Sequence, residues 1–282
     1  MSTEPPGSSL FNELFAAEGA SIGLQINGLL HKEQSCYQNI EIYDTTHYGH
    51  LMVLDGCIML TQRENFIYHE MMSHPALFSH NAPEKVVIIG GGDCGTLLEV
   101  LKHPEVKSAL QVELDQRVTE LSKQYFPELC QSNDDPRADF YFGDGIQWIK
   151  EAEKESIDVI IIDSTDPVGP AEGLFSTDFY RHCFRALKPK GILVQQSESP
   201  LFHSESIIQK MQNDLSEVGF KETVVRTFPQ PVYPSGWWSC TMGIKTEMTQ
   251  SPLRQMDIET RYYTADLHQA STCLPAFMQV KK

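Results

Sequence analysis

The chain's first readable stretch alternates apolar and polar residues at a period of two. Tyr37-Gln-Asn-Ile-Glu-Ile-Tyr43, His50-Leu-Met-Val-Leu54 and Ile58-Met-Leu-Thr61 are short strands by this pattern, within a segment running from about Gly23 to Arg63. Tyr48-Gly49 and Asp55-Gly56 punctuate them, and Asp-Gly between apolar runs predicts a hairpin because both central residues of a type I′ turn need positive φ. Near Phe66 the period becomes helical, with Phe66, Ile67, Met71, Pro75 and Leu77 spaced along one segment.

Beyond Ala82-Pro83 the pattern changes again. Continuous apolar runs at Val86–Ile89, Ala109–Val112, Phe140–Phe142, Val159–Ile162 and Ile192–Val194 suit strands buried on both faces. Helical stretches separate them, near Gly95–Lys102, Gln116–Tyr125, Ile146–Glu153 and Thr177–Leu187. A long helix is expected from about Ser204 to Val218, followed by two close strands, Glu222–Thr227 and Ser239–Ile244, which suit an antiparallel edge. The fold class predicted is α/β: a methyltransferase-like, doubly wound Rossmann-type sheet with a small N-terminal antiparallel β domain. The expected division is a frayed N-terminus over 1–9, a β-hairpin domain over 10–65 and a Rossmann-like catalytic domain over 66–282.

Three motifs carry chemistry. Val86-Val-Ile-Ile-Gly-Gly-Gly-Asp-Cys-Gly95 runs a strand into G-x-G-x-x-G, with Gly90, Gly92 and Gly95 allowing close approach to a nucleotide. Glu113, at the end of the next strand, is placed to accept from both ribose hydroxyls, so an adenosine-containing ligand is implied. Asp93 argues against a dinucleotide, because a pyrophosphate about 4 Å away at an effective dielectric near 20 would cost roughly 4 kcal/mol. An adenosine ligand ending in an ammonium suits it better. Phe142-Gly-Asp-Gly145 makes Asp144 and Gly145 candidates for the adenine, although Asp-Gly is equally a common turn. The third motif, Asp158-Val-Ile-Ile-Ile-Asp163-Ser-Thr-Asp166-Pro-Val-Gly-Pro170, delivers Asp163 to the carboxyl end of a buried strand, with Asp166 one turn on and a stiff Pro/Gly loop to cover the site.

With these motifs in place, the chain resembles the spermidine synthases, or polyamine aminopropyltransferases, of bacterial type. Tyr37-Gln38, Leu54-Asp-Gly56, Phe66-Ile-Tyr-His-Glu-Met71, Gly90-Gly-Gly-Asp93, Val112-Glu113, Asp163-Ser-Thr-Asp-Pro-Val-Gly-Pro170, Tyr233-Pro-Ser-Gly236 and Arg261-Tyr-Tyr263 fall in family order over nearly the whole chain. The resemblance implies that Asp163 is the catalytic acid-base residue and that Asp166 binds a diamine, with Tyr68 and Tyr233 flanking its carbon chain. It implies a nucleoside site of Gln38, His69, Gly90, Gly92, Asp93, Glu113, Asp144, Gly145 and Pro170, with His69 and Asp93 also bordering the diamine. Decarboxylated S-adenosylmethionine is then a co-substrate, putrescine the first-choice acceptor, and no cofactor or metal is expected. A homodimer or homotetramer is implied as well. Departures from the usual family pattern are Cys94 for a glycine, Leu98 for an arginine, Met59 for a glutamine, and Gln62-Arg-Glu-Asn65 for a more usual Glu-Arg-Asp-Glu.

Composition adds limits. Of 282 residues, 22 are Lys or Arg against 38 Asp or Glu, a net charge of -16, so no basic stripe exists for a nucleic-acid backbone and cationic ligands fit better. The seven cysteines contain no C-x-x-C pair and the ten histidines no H-x-x-x-H, which argues against a disulfide framework or a zinc site and for a reducing, cytoplasmic location. No apolar run approaches the roughly 20 residues a spanning helix needs, and no signal peptide is read at Met1–Ser9. Two other readings compete: an S-adenosylmethionine-dependent N-methyltransferase acting on a diamine, and a polyamine-binding regulatory subunit without turnover. Asp93 and the Asp163/Asp166 pair favour aminopropyl transfer over both.

Overall fold

A computed structural model describes residues 9–167, 169–246, 254–255 and 257–279. The N-terminal part is an antiparallel sheet in the order β1 (Ser9–Phe15), β2 (Ala20–Gln34), β3 (Asn39–Thr45), β4 (His50–Leu54) and β5 (Cys57–Thr61). Asp55 (φ 49°) and Gly56 (φ 88°) both take positive φ between β4 and β5, the geometry the Asp-Gly hairpin signal anticipated. The periodicity reading missed β1 and most of β2. The Ala20–Ile26 half of β2 does alternate, whereas two register shifts, between Ile26 and Gly28 and between Leu29 and His31, break the pattern in its second half. Residues 1–8, expected to be frayed, lie outside the described residues.

Both faces of this sheet are covered, which explains the continuous burial of β3 and β4. Ile40, Ile42, Met52 and Leu60 pack on Val118, Leu121 and Phe126, while Leu24, Leu51, Val53 and Ile58 pack on Val232. Burying each such side chain contributes roughly 1.5–3 kcal/mol, so the small sheet is held against the larger domain rather than beside it.

The larger sheet has seven strands: β6 (Lys85–Gly90), β7 (Ser108–Glu113), β8 (Ala138–Phe142), β9 (Ile157–Asp163), β10 (Leu187–Gln196), β11 (Glu222–Pro229) and β12 (Trp237–Ile244), ordered β11-β12-β10-β9-β6-β7-β8. The pairs among β6 to β10 are parallel, and β12 joins β10 and β11 antiparallel, the edge expected from the closeness of the last two strands. Alternate residues of one strand feed opposite cores: Val86, Ile88, Val159 and Ile161 on one face, Val87, Ile89, Ile160 and Ile162 on the other. That is why these strands read as unbroken apolar runs; β8, expected from Phe140–Phe142 to be buried on both faces like them, is instead the edge strand and leaves Tyr141 and Phe142 exposed.

The helices are α1 (Asn65–Ser79), α2 (Gly95–Leu101), α3 (Gln116–Tyr125), α4 (Gly145–Glu151), α5 (Thr177–Ala186), α6 (Pro200–His203), α7 (Lys210–Val218) and α8 (Ala265–Ala270). The single helix expected over Ser204–Val218 is instead interrupted: a wide π turn at Ser204–Gln209 separates α6 from α7. Such turns insert a residue into the ladder, and apolar spacing does not register them. Helix α1 is buried almost all round and carries Pro75 in its interior. Proline has no N–H for the carbonyl four residues back, and the Cys240 thiol donates to that freed Met71 carbonyl at 3.6 Å. Among the described residues no helix is long and apolar enough to cross a membrane.

Candidate active site

The sheet order reverses at β6, whose neighbours are β7 and β9, so a crevice opens at the carboxyl ends of β6 and β9. Their register pairs Gly90 with Asp163, and the Gly91 N–H donates to the Asp163 carbonyl at 2.7 Å. Gly90 has φ 87°, and a Cβ there would fall 2.1 Å from the same carbonyl oxygen. Only glycine lets the first and third motifs close on each other. At Gly92 a Cβ would lie 2.9 Å from a carboxylate oxygen of Glu113, so this glycine leaves room above the acid that ends β7.

Asp163 is gripped from two sides. The Tyr68 hydroxyl donates to one carboxylate oxygen at 2.7 Å and the Thr96 hydroxyl to the other at 2.6 Å. Burial raises its pKa and the neighbouring Asp93 adds to the rise, against His69 and the two hydroxyl donors, which lower it. Asp93 goes the opposite way. Burial alone would lift it, but the His69 imidazole at 3.2 Å and the Gly95 N–H at 2.7 Å outweigh that cost and hold it below the ordinary value. In return His69, which burial would lower, is pushed up to about 8 by Asp93. Two carboxylates of unlike basicity thus stand side by side.

Glu113 is buried, and burial pushes its pKa up to about 7 even though the Asp115 N–H donates to it at 2.8 Å. Asp115 in turn accepts from Gln38 Nε2 at 3.0 Å and from the Ser35 hydroxyl at 2.6 Å. Gln38 therefore reaches Glu113 through Asp115. Asp144 caps α4, one carboxylate oxygen accepting from the Ile146 and Gln147 N–H groups at 2.7 and 3.3 Å, and is otherwise exposed beside Gly145. Its turn duty is real, and its second oxygen faces outward. Gly169–Phe175 form a short 3-10 turn after β9; the side chain of Pro170 lies outside the described residues.

Beyond Tyr68 a cavity opens that is lined by Glu13, Met59, Asp166, Gln196, Tyr233 and Trp238 among others. The Tyr68 and Tyr233 rings meet edge to face at 5.9 Å, Trp238 stands 4.9 Å from Tyr233, and the Tyr233 hydroxyl donates to the Met59 carbonyl. Three acids gather there. Glu198, which accepts from Gln196 Nε2 at 3.2 Å, is pushed well above its usual range by burial, with the neighbouring Asp166 adding to the rise. Glu13 is buried on β1, accepts from the Ile58 N–H at 2.7 Å, and is raised to about 7 by burial, with Asp166 adding to the rise.

Of the residues predicted from sequence, Tyr68 with Asp163 and His69 with Asp93 form two neighbouring hydrogen-bonded pairs, and Asp166 and Tyr233 border the adjoining cavity; Gln38 and Glu113 meet through Asp115. Asp144 and Gly145 stand at the end of β8. Sequence reading missed Thr96, Asp115, Glu13, Gln196 and Glu198. Thr96 lies one residue past the glycine loop, where a helix-start hydroxyl was the only signal. Glu13 sat in a strand that was not recognised. Glu198 has φ 65°, left-handed backbone that nothing in its neighbours announced.

A parallel sheet with an antiparallel final pair, and a glycine loop and two acids at its switch point, define a methyltransferase-like Rossmann fold. Comparison with known proteins narrows this. A model described as "Spermine/spermidine synthase domain" matches residues 65–252, and one described as "Spermidine synthase tetramerisation domain" matches residues 10–62. The polyamine aminopropyltransferase of Thioalkalivibrio sulfidiphilus is 57% identical over 268 residues, covering 94% of this chain and 95% of the relative. That of Methylococcus capsulatus is 54% identical over 270 residues, covering 95% and 94%. The crystal structure of spermidine synthase from Thermotoga maritima superposes with a TM-score of 0.90 at 34% identity, covering 98% of this chain and 95% of that one. A spermidine synthase in complex with the transition-state analogue AdoDATO gives 0.91 at 34%, covering 98% and 96%. The chain belongs to the spermine/spermidine synthase family of aminopropyltransferases.

Proposed function

We propose that this enzyme moves the aminopropyl group of decarboxylated S-adenosylmethionine onto putrescine, giving spermidine and 5'-methylthioadenosine. The observation that carries the reading is two groups of acids, Asp93 with Asp163 at the glycine loop and Asp166 with Glu198 and Glu13 about the cavity, with Tyr68 and Tyr233 between them. Such an arrangement suits two cationic small molecules laid end to end. Glu113 takes the ribose hydroxyls, Asp144 and Gly145 the adenine edge, and Asp93 the donor's ammonium. Asp166, Glu198 and Glu13 take the far ammonium of the diamine.

The reaction is an in-line displacement in which a neutral amine attacks the methylene beside the sulfonium and the thioether leaves uncharged. The leaving group needs little help. The acceptor does, because an alkyl ammonium has a pKa of about 10.4 and is protonated at neutral pH. Burial next to the aromatic walls favours its neutral form, and Asp163, raised by burial and by Asp93, receives the proton. The Tyr68 and Thr96 donors fix the Asp163 carboxylate in one orientation while leaving lone pairs for the amine. The family relationship to the protein bound to AdoDATO supports this assignment of substrates. Oligomerisation through the N-terminal sheet is proposed alongside it, on the match to the tetramerisation domain.

The test is purified protein with decarboxylated donor and a panel of amines, products identified by mass. Methylthioadenosine with spermidine from putrescine supports the reading. Adenosylhomocysteine from S-adenosylmethionine, or no turnover with any amine, overturns it.

A further inference from the structure

Two of the seven cysteines meet beneath the glycine loop. Cys94 stands at φ 71°, left-handed backbone that favours glycine, so a side chain there is held against its preference. Its buried sulfur is 3.7 Å from the Gly92 carbonyl oxygen, and the half-buried Cys130 sulfur, from the segment after α3, is 3.8 Å from the Asp93 carbonyl oxygen. The two thiols thus lie on successive carbonyls of one loop, and each shifts the other's titration. Asn133 Nδ2 and Gln111 Nε2 reach the Cys94 sulfur at 3.4 and 3.9 Å, while the other amide oxygens, Gln111 Oε1 and Asn133 Oδ1, are buried without a partner. Such a polar lining is not what packing a small apolar side chain requires.

We propose that Cys94 and Cys130 are a redox-active dithiol that a hydroperoxide converts to a disulfide, and that this closure displaces the Gly90–Gly95 loop and weakens nucleoside binding. The functional half rests on the reading of that loop as part of the donor site. Cys130 is the more exposed of the two, and its neighbour Cys94 holds it below the ordinary thiol range, while Cys130 and burial hold Cys94 up. The Cys130 sulfur attacks one peroxide oxygen, the O–O bond breaks, and water leaves with the thiol proton, giving a sulfenic acid. Cys94 sulfur then displaces hydroxide from that sulfur, and its own proton departs with the hydroxide as water. Two thiols lose two electrons and two protons, and hydrogen peroxide is reduced to two waters.

The structural consequence follows from bond lengths. A disulfide is about 2.05 Å long, inside the van der Waals contact of two separate sulfurs, so closing it turns or draws in the side chains that now lie on the Gly92 and Asp93 carbonyls. Both sulfurs also give up the carbonyls of Gly92 and Asp93, the residues that frame the donor's ammonium. A shift of about 1 Å beside reacting groups is enough to cost on the order of a hundredfold.

The experiment treats the full chain with hydrogen peroxide, maps cysteines by alkylation and peptide mass, and measures methylthioadenosine affinity before and after. A linked Cys94–Cys130 peptide, an affinity loss of about tenfold or more, and recovery with dithiothreitol are expected. Cys130→Ser should bind methylthioadenosine as the parent does and resist the loss, and Cys94→Gly should bind after peroxide as its own reduced form does. The proposal is overturned if both cysteines stay alkylatable at peroxide levels that oxidise exposed Cys36 or Cys273. It is equally overturned if the linked protein binds as before, or if both variants lose affinity as the parent does. Failure of the reduced parent to bind methylthioadenosine would instead count against the donor-site reading, and the peptide map then judges the dithiol by itself.

Discussion

Replacing Glu13 by glutamine should separate what the acceptor end does for binding from what it costs in stability. The change is isosteric, and the glutamine carbonyl can still accept from the Ile58 N–H now held at 2.7 Å. A carboxylate about 4 Å from an ammonium, at an effective dielectric near 20, gains roughly 4 kcal/mol. Asp166 and Glu198 remain in the variant, and Glu13 with a pKa of about 7 is about half protonated at neutral pH before the diamine arrives. Both facts shrink the loss, so a fall of about 1.4 kcal/mol is expected, a tenfold rise in the KM for putrescine. kcat should change by no more than about threefold, because Asp163 rather than Glu13 faces the proposed reacting amine.

Stability should move the other way. Glu13 is raised from 4.5 to about 7, so the folded chain holds this proton more tightly than the unfolded one. Its stabilising contribution is whole below about pH 4.5 and is lost as pH rises through about 7, a change of roughly 3 kcal/mol at about 1.36 kcal/mol per unit. Ligand-free E13Q should therefore unfold at higher denaturant than the parent at pH 8, with the difference vanishing at pH 4.5. Methylthioadenosine release against putrescine concentration, paired with urea unfolding at both pH values, reads both effects. An unchanged KM together with an unchanged unfolding midpoint at pH 8 would refute the placement of Glu13 in a charged acceptor subsite.

Three further outcomes are expected. Asp163→Asn should lower turnover by about 10² to 10⁴ while methylthioadenosine affinity, read by calorimetry, stays within a few fold; near-normal turnover would remove Asp163 from proton transfer. Glu113, raised to about 7, is the acceptor proposed for the ribose hydroxyls, so methylthioadenosine affinity should weaken as pH falls through 7 in the parent. E113Q should bind more weakly with a flat profile over the same range, and a parallel slope in both would contradict the assignment. Cys240→Ala strips the donor from the Met71 carbonyl that Pro75 leaves free and opens a small void, so a loss of about 1–3 kcal/mol is expected in chemical unfolding.

Much of the architecture was legible along the chain because its causes are local. Strands covered on both faces must be apolar at every position, so Val86–Ile89 and Val159–Ile162 announced a buried parallel sheet, and Asp55-Gly56 announced its own hairpin through φ alone. The family resemblance likewise rested on contiguous motifs, and the comparisons agree with it. Where local signals failed, a local cause was absent or masked: the bulges of β2 break the alternation of its second half, and the π turn at Ser204–Gln209 leaves apolar spacing nearly unchanged.

The chain alone determined which strand ends would carry Asp93, Glu113, Asp144 and Asp163, since each acid follows an apolar run that marks where its strand stops, buried for all but the edge strand before Asp144. Only the tertiary structure decided the company these acids keep. Glu13 comes from the first strand, Asp166 from the loop after β9 and Glu198 from a left-handed turn after β10, and no spacing in the sequence links them. Their protonation is equally a property of the assembled fold, because a carboxyl group's pKa depends on how much water its neighbours exclude and how much like charge they bring within a few ångströms.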